Sequence, residues 1–114
     1  MNLLAASLTS VIAHRGASGN APENTIASLR AAAQLGARWV EVDAKLTADD
    51  EVILFHDDIL DRTTNSKGLV AETYSQKIKQ LDAGGWFSSK FLGEKIPSLV
   101  WCEMNRRNWD TDSI

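Results

Sequence analysis

The 114-residue chain has room for one small domain at most. Its 44% apolar and 24% charged residues place it among globular rather than disordered chains. Twelve basic against fifteen acidic residues give a formal net charge of −3, so no nucleic-acid partner is expected, since duplex binders carry a basic face. The first predicted element is a short buried strand over Val11–Ala13. A loop over Gly16–Asn20 follows, and Pro22 with Asn24 or Thr25 signals a helix entry. The helix runs from Thr25 to Leu35, with Ile26, Leu29 and Ala33 spaced as one apolar face, and Gly36 suits the left-handed position that ends it. Trp39–Leu46 then alternates as a strand does, so the opening third reads as a parallel βαβ unit.

A polar break over Leu46–Glu51 precedes the apolar run Val52–Phe55. Such a break is too short for a parallel crossover, so these two strands should form an antiparallel hairpin, with Asp50 suited to a positive φ. From Asp57 to Pro97 the chain is loop-rich, with one helical candidate over Ser75–Leu81 and an aromatic cluster of Trp86, Phe87 and Phe91. After Leu99 the texture changes: Trp101–Trp109 has neither a helical stripe nor strand alternation, and Arg106-Arg107 reads as part of a solvated tail. The single cysteine, Cys102, permits no intrachain disulfide and fits a reducing compartment, and no neighbouring base suits it as a nucleophile. The first thirteen residues hold no Lys or Arg and are interrupted by Asn2, Ser7, Thr9 and Ser10, unlike a signal peptide. No segment approaches the roughly 20 apolar residues of a membrane span. A cytoplasmic location is expected.

Five residues stand out chemically. Glu41 and Asp43 lie two apart on a predicted strand and so share a face, where burying two unpaired carboxylates would be costly. They either ligate a hard cation, Mg²⁺ or Ca²⁺, or lie on an exposed face bridged to Lys45 or Arg38. His14 closes the first apolar run and His56 closes the run Val52–Phe55, and imidazole exchanges a proton near neutral pH. Arg15 adds a fixed cation whose planar fork fits phosphate oxygens. Two acid/base candidates, an anion clamp and two hard ligands suit the cleavage of a phosphate ester.

These residues sit in separated motifs: His14-Arg15-Gly16 with Ala21-Pro22-Glu23-Asn24-Thr25, Glu41-Val42-Asp43 with Leu46-Thr47, and His56-Asp57 through Leu60-Asp61-Arg62-Thr63-Thr64. With Leu81–Phe87, Phe91 and Ile96–Leu99, they resemble the glycerophosphodiester phosphodiesterase family over residues 11–99, with an insertion at about 57–97 and a divergent tail at 100–114. The resemblance implies a (β/α)₈ TIM barrel that hydrolyses glycerophosphodiesters, small-molecule substrates, to sn-glycerol 3-phosphate and an alcohol. It implies His14 and His56 as general acid and base, Arg15 as the phosphate clamp, and Glu41 and Asp43 as ligands of a divalent cation. Both water and the glycerol 2-hydroxyl fit as nucleophile. A complete barrel needs about 250 residues, so an α/β fold comprising the N-terminal portion of the barrel, with its insertion, is expected. The family's further metal-binding Glu, in a motif like Glu-Ile-Lys, has no counterpart here, so the alternative is a truncated, non-catalytic remnant that binds phosphate or a cation. Unpaired strand edges should favour self-association.

Overall fold

The computed structural model describes residues 12–105. Val11, the opening stretch before it and Arg106-Arg107 lie outside the described residues. Strand β1 (Ile12–His14) pairs in parallel with β2 (Trp39–Glu41), in the register Ile12 to Trp39, Ala13 to Val40 and His14 to Glu41. Helix α1 (Ile26–Gln34) makes the crossover between them. Thr25 caps it: its Oγ1 accepts from the Ser28 N–H while the Ser28 Oγ accepts from the Thr25 N–H, so two orphan donors of the first turn are satisfied reciprocally. The buried face of α1 is Ser28, Leu29 and Ala32, with Ile26 partly buried, rather than the expected stripe through Ala33. Ser28 is drawn inward because its hydroxyl is spent on the cap.

The expected single strand over Trp39–Leu46 is two strands. β2 stops at Glu41, and β3 (Ala44–Leu46) pairs antiparallel with β4 (Val52–Leu54) in a separate two-stranded sheet. The break falls where the chain changes partner. The Asp43 N–H donates to the Asn24 side chain at 3.2 Å, and the Asp43 carbonyl accepts from Phe55 N–H at 2.9 Å. The β3–β4 hairpin forms as its short connection requires, with Asp50 at φ 63°. Strand β1 is not the buried strand expected, because Ile12 is 45% exposed. With β2 as its only ladder partner among the described residues, it has little to cover it.

β4 divides the interior. Successive side chains on a strand point to opposite faces. Ile53 accordingly joins Phe55, Leu60, Val70, Ile78, Leu81, Ala83 and Ile96 on one side, and Leu54 joins Leu29, Val40 and Cys102 on the other. Each such fully buried aliphatic side chain contributes about 1.5–3 kcal/mol. The loop-rich segment is tied down by carboxylates. Asp49 accepts from Thr47 Oγ1 at 2.6 Å and from Ser75 N–H and Oγ at 2.9 and 2.6 Å, fixing the start of α2 (Ser75–Ile78) against the hairpin turn. α2 is shorter than the expected Ser75–Leu81. Asp82 accepts from the N–H groups of Gly84, Gly85 and Gly93, which hold its carboxyl below the usual carboxylate range. Trp86, Phe87 and Phe91 pack edge-to-face, with centroids 5.6 and 5.7 Å apart.

Helix α3 (Leu99–Asn105) corrects the reading of the segment after Leu99 as lacking helical character. Ser98 starts it: the Trp101 N–H donates to the Ser98 Oγ at 3.0 Å and the Cys102 N–H to the Ser98 carbonyl at 3.1 Å. Leu99 and Cys102, three apart, face the core. Val100, Trp101 and Met104 are exposed, and these outward apolar residues mask the inward stripe in the sequence.

Candidate active site

β1 ends in two consecutive left-handed residues, Arg15 at φ 57° and Gly16 at φ 77°. The first is costly for a side-chain-bearing residue, and it is held by backbone bonds on both sides. The Arg15 N–H donates to the Glu41 carbonyl at the end of β2, and the Asn24 N–H donates to the Arg15 carbonyl at 2.9 Å. The turn leaves the His14 and Arg15 side chains at the strand end. The parallel register sets His14 beside Glu41, and His14 Nε2 lies 3.0 Å from Glu41 Oε1.

Arg15 has two carboxylate neighbours. Its Nη1 donates to both Glu23 oxygens at 3.5 and 3.4 Å, and its Nε lies 3.2 Å from Asp43 Oδ2. The Nε–H does not point at that oxygen, so the contact is an ion pair without a hydrogen bond, leaving this buried donor unsatisfied. Asn24, at φ 56°, anchors Asp43 from the other side: its Nδ2 donates to Asp43 Oδ2 at 3.1 Å, and its Oδ1 takes the Asp43 N–H. Lys45 pairs with Asp58 at 3.3 Å rather than bridging Glu41 and Asp43.

His56 lies just beyond β4 and makes no hydrogen bond or ion pair with the other four candidates. It joins them through a relay of charges. His56 Nδ1 is 2.7 Å from Asp57 Oδ1. Arg62 donates from Nε and Nη2 to the two Asp57 oxygens at 2.8 and 2.9 Å, and from Nη1 and Nη2 to the two Glu23 oxygens at 3.1 and 2.9 Å. Glu23 in turn reaches Arg15. The Arg62 hydrogen bonds hold the Asp57 carboxyl well below the usual carboxylate range, against the opposing effect of burial and with further help from His56. Asp57 and then Glu23 raise the guanidinium's own affinity for its proton. An ionised Asp57 can only accept, so the Nδ1 of neutral His56 carries the proton and its Nε2 keeps the lone pair.

The five residues singled out in the sequence are thus connected as follows: His14 lies on Glu41, Arg15 on Asp43, and His56 reaches Arg15 through Asp57, Arg62 and Glu23. Glu23, Asn24, Asp57 and Arg62 had no assigned role. The one local hint was Asn24, a residue type that tolerates the left-handed backbone. As to a cation, Glu41 and Asp43 supply hard oxygens, and Glu41 Oε2 and Asp43 Oδ1 have no hydrogen-bond partner among the described residues. No cluster of three or more His, Cys, Asp or Glu able to hold a metal occurs among those residues. The hard oxygens of Glu41 and Asp43 are the donor chemistry that a divalent cation such as Mg²⁺ or Ca²⁺ takes. A separate cavity of about 470 Å³, lined in part by Ile26, Lys79, Glu94, Lys95 and Trp101, contains none of the five.

A βαβ unit with a histidine and an arginine at one strand end, linked through Glu23, Arg62 and Asp57 to a second histidine, defines an α/β protein with a charged site at its strand ends. Residues 14–113 match the glycerophosphoryl diester phosphodiesterase family, and the chain belongs to it. A glycerophosphodiester phosphodiesterase of Caldanaerobacter subterraneus is 52% identical over 91 residues, covering 80% of this chain and 37% of the relative. A phosphodiesterase from Oleispira antarctica, solved with the product sn-glycerol-3-phosphate, superposes with a TM-score of 0.85 at 47% identity, over 90% of this chain and 41% of that one. A glycerophosphodiester phosphodiesterase from Agrobacterium tumefaciens gives a TM-score of 0.82 at 44% identity, over 88% and 44%. The chain therefore spans well under half the length of these relatives, and its fold is a partial TIM barrel whose sheet does not close. No helix among the described residues is long and apolar enough to cross a membrane.

Proposed function

We propose that the β1–β4 end of the chain binds and hydrolyses glycerophosphodiesters, releasing sn-glycerol 3-phosphate and an alcohol. One observation carries this reading: an unbroken series of side-chain contacts, Arg15–Glu23–Arg62–Asp57–His56, joins a cation whose fork fits phosphate to Nδ1 of a histidine, and so leaves its Nε2 for chemistry. Arg15 binds the phosphoryl oxygens, for which its fork is shaped. His56 Nε2 takes the proton of the attacking hydroxyl as its oxygen bonds to phosphorus. Water gives sn-glycerol 3-phosphate directly, whereas the glycerol 2-hydroxyl gives a cyclic phosphate that a water molecule then opens. The phosphorus–oxygen bond to the leaving group breaks, and His14, 3.0 Å from Glu41, gives the departing alkoxide its proton. Glu41 and Asp43 would hold a divalent cation, which supplies charge compensation for the phosphoryl oxygens when bound.

The test is release of glycerol 3-phosphate from glycerophosphocholine by the purified chain with Mg²⁺ present. His14→Ala and His56→Ala should each lower the rate by about 10²-fold or more. Undiminished release in both variants would refute the assignment. Binding of inorganic phosphate without turnover would instead identify a non-catalytic remnant.

A further inference from the structure

Arg62 lies outside the acid, base, clamp and ligand roles, yet it is the most heavily engaged cation among the described residues. It makes four hydrogen bonds to two carboxylates, one of them 39 residues away in the chain, and its guanidinium sits 5.9 Å from the centre of the Trp86 ring. We infer that Arg62 is a positioning residue that, braced by Glu23, holds the Asp57 carboxylate on His56 Nδ1 and thereby fixes His56 in the form with a free Nε2. This rests on the proposed function only for what His56 then does with that nitrogen.

The geometry supports the inference in three steps. Asp57 has two oxygens, and Arg62 grips both, leaving Oδ1 to accept from His56 at 2.7 Å in a fixed direction. The grip needs a planar fork with several donors, which a lysine cannot reproduce. Arg62 is itself located by the bidentate Glu23 and the Trp86 face, so the imidazole orientation is set from the loop before α1 and from the insertion, not by β4 alone. Without the fork, Asp57 is free to turn to solvent, and His56 reverts to the Nε2–H form that an unconstrained imidazole favours in water.

The chain has only two histidines, which makes the experiment direct. Long-range ¹⁵N–¹H correlation spectra at about pH 8.5, where an ordinary imidazole is neutral, distinguish the Nδ1–H from the Nε2–H form. A His14→Gln background leaves His56 as the sole imidazole. With Arg62 intact, His56 should be predominantly Nδ1–H. Arg62→Gln should lower the ratio of Nδ1–H to Nε2–H by about tenfold, the scale of one lost charge-assisted hydrogen bond. Arg62→Lys should recover only part of it. If amide dispersion shows that Arg62→Gln has unfolded, Glu23→Gln takes its place. Glu23 bonds neither Asp57 nor His56, so a shift towards Nε2–H in that folded variant passes through Arg62. An unchanged tautomer in the folded variant, or an Nε2–H form in the wild type, overturns the inference. No substrate is involved, so a chain that shows this pattern and releases no glycerol 3-phosphate refutes the catalytic reading and leaves this one standing.

Discussion

Arg15 and Gly16 occupy left-handed backbone in succession, and only one of them is built for it. Arg15 is kept there by its bonds to Glu41 and Asn24, so its strain is balanced by the structure that positions the guanidinium. Gly16 has a second reason to be glycine. A Cβ there would lie 2.7 Å from the Ser28 Cβ and 2.8 Å from the Ser28 backbone carbon. Ser28 is fully buried and committed to the α1 cap, so it cannot move aside. Gly16→Ala should therefore cost roughly 2–4 kcal/mol, combining left-handed strain with an overpacked contact. The check is the shift of the urea unfolding midpoint; a loss below about 0.5 kcal/mol, no more than an ordinary surface substitution costs, would show that the loop relaxes freely. His14 and His56 could be picked from sequence because each closes an apolar run, Arg15 because it adds a fixed cation next to His14, and Glu41 and Asp43 because they lie two apart on one predicted strand. Glu23, Asp57 and Arg62 could not be given roles, because their work is on one another. Contacts between residues 23 and 62 leave no periodic trace in the chain.

At the scale of elements, periodicity predicted what a single partner determines and failed where a partner changes. α1 and the β3–β4 hairpin follow from spacing, capping residues and the short polar turn. The break between β2 and β3 does not, since Trp39–Leu46 alternates throughout and only the switch from β1 to β4 interrupts it. α3 was hidden for another reason: Leu99 to Cys102 is apolar at every position, so no stripe stands out until Leu99 and Cys102 are seen to face the core. This docking is open to measurement, because Cys102 is the sole thiol and is fully buried. Burial, with a smaller push from Glu103, raises its thiol pKa to about 12. If docking of α3 is worth about 3 kcal/mol, Ellman's reagent should label the native chain about 100-fold more slowly than the denatured chain near neutral pH. Leu99→Ala, which removes a neighbour from the same cluster, should speed the labelling. The sign of the pH effect follows from the raised pKa. Stability from the neutral buried thiol is fully present below about pH 8.5, the unfolded value, and declines as pH rises towards the folded value of about 12. Labelling as fast in the native as in the denatured chain would mean that α3 is not docked.

Across the whole molecule, each sheet among the described residues has two strands; the outer edge of β4 is bridged by Ser98 opposite Ile53, and the other strands have an edge without a ladder partner in their sheet. Closed barrels remove such edges, whereas open ones present unpaired N–H and C=O groups to other chains. Apolar surface accompanies them. Val100, Trp101 and Met104 are 66%, 44% and 78% exposed on α3, and Ile12 and Leu46 are about half exposed on the strands. The 12.5 kDa chain should therefore self-associate, with a weight-average mass in sedimentation that rises with protein concentration. Two contributions can be separated. Val100→Lys with Met104→Lys places charges on the α3 face without touching Leu99 or Cys102, and should lower the association constant by about tenfold if apolar burial there contributes about 1.4 kcal/mol. Association that survives in this variant belongs to the strand edges, where Ile12→Lys on β1 should weaken it further. A mass that stays at that of one chain up to high concentration would show that the open edges and faces are not sticky enough to matter.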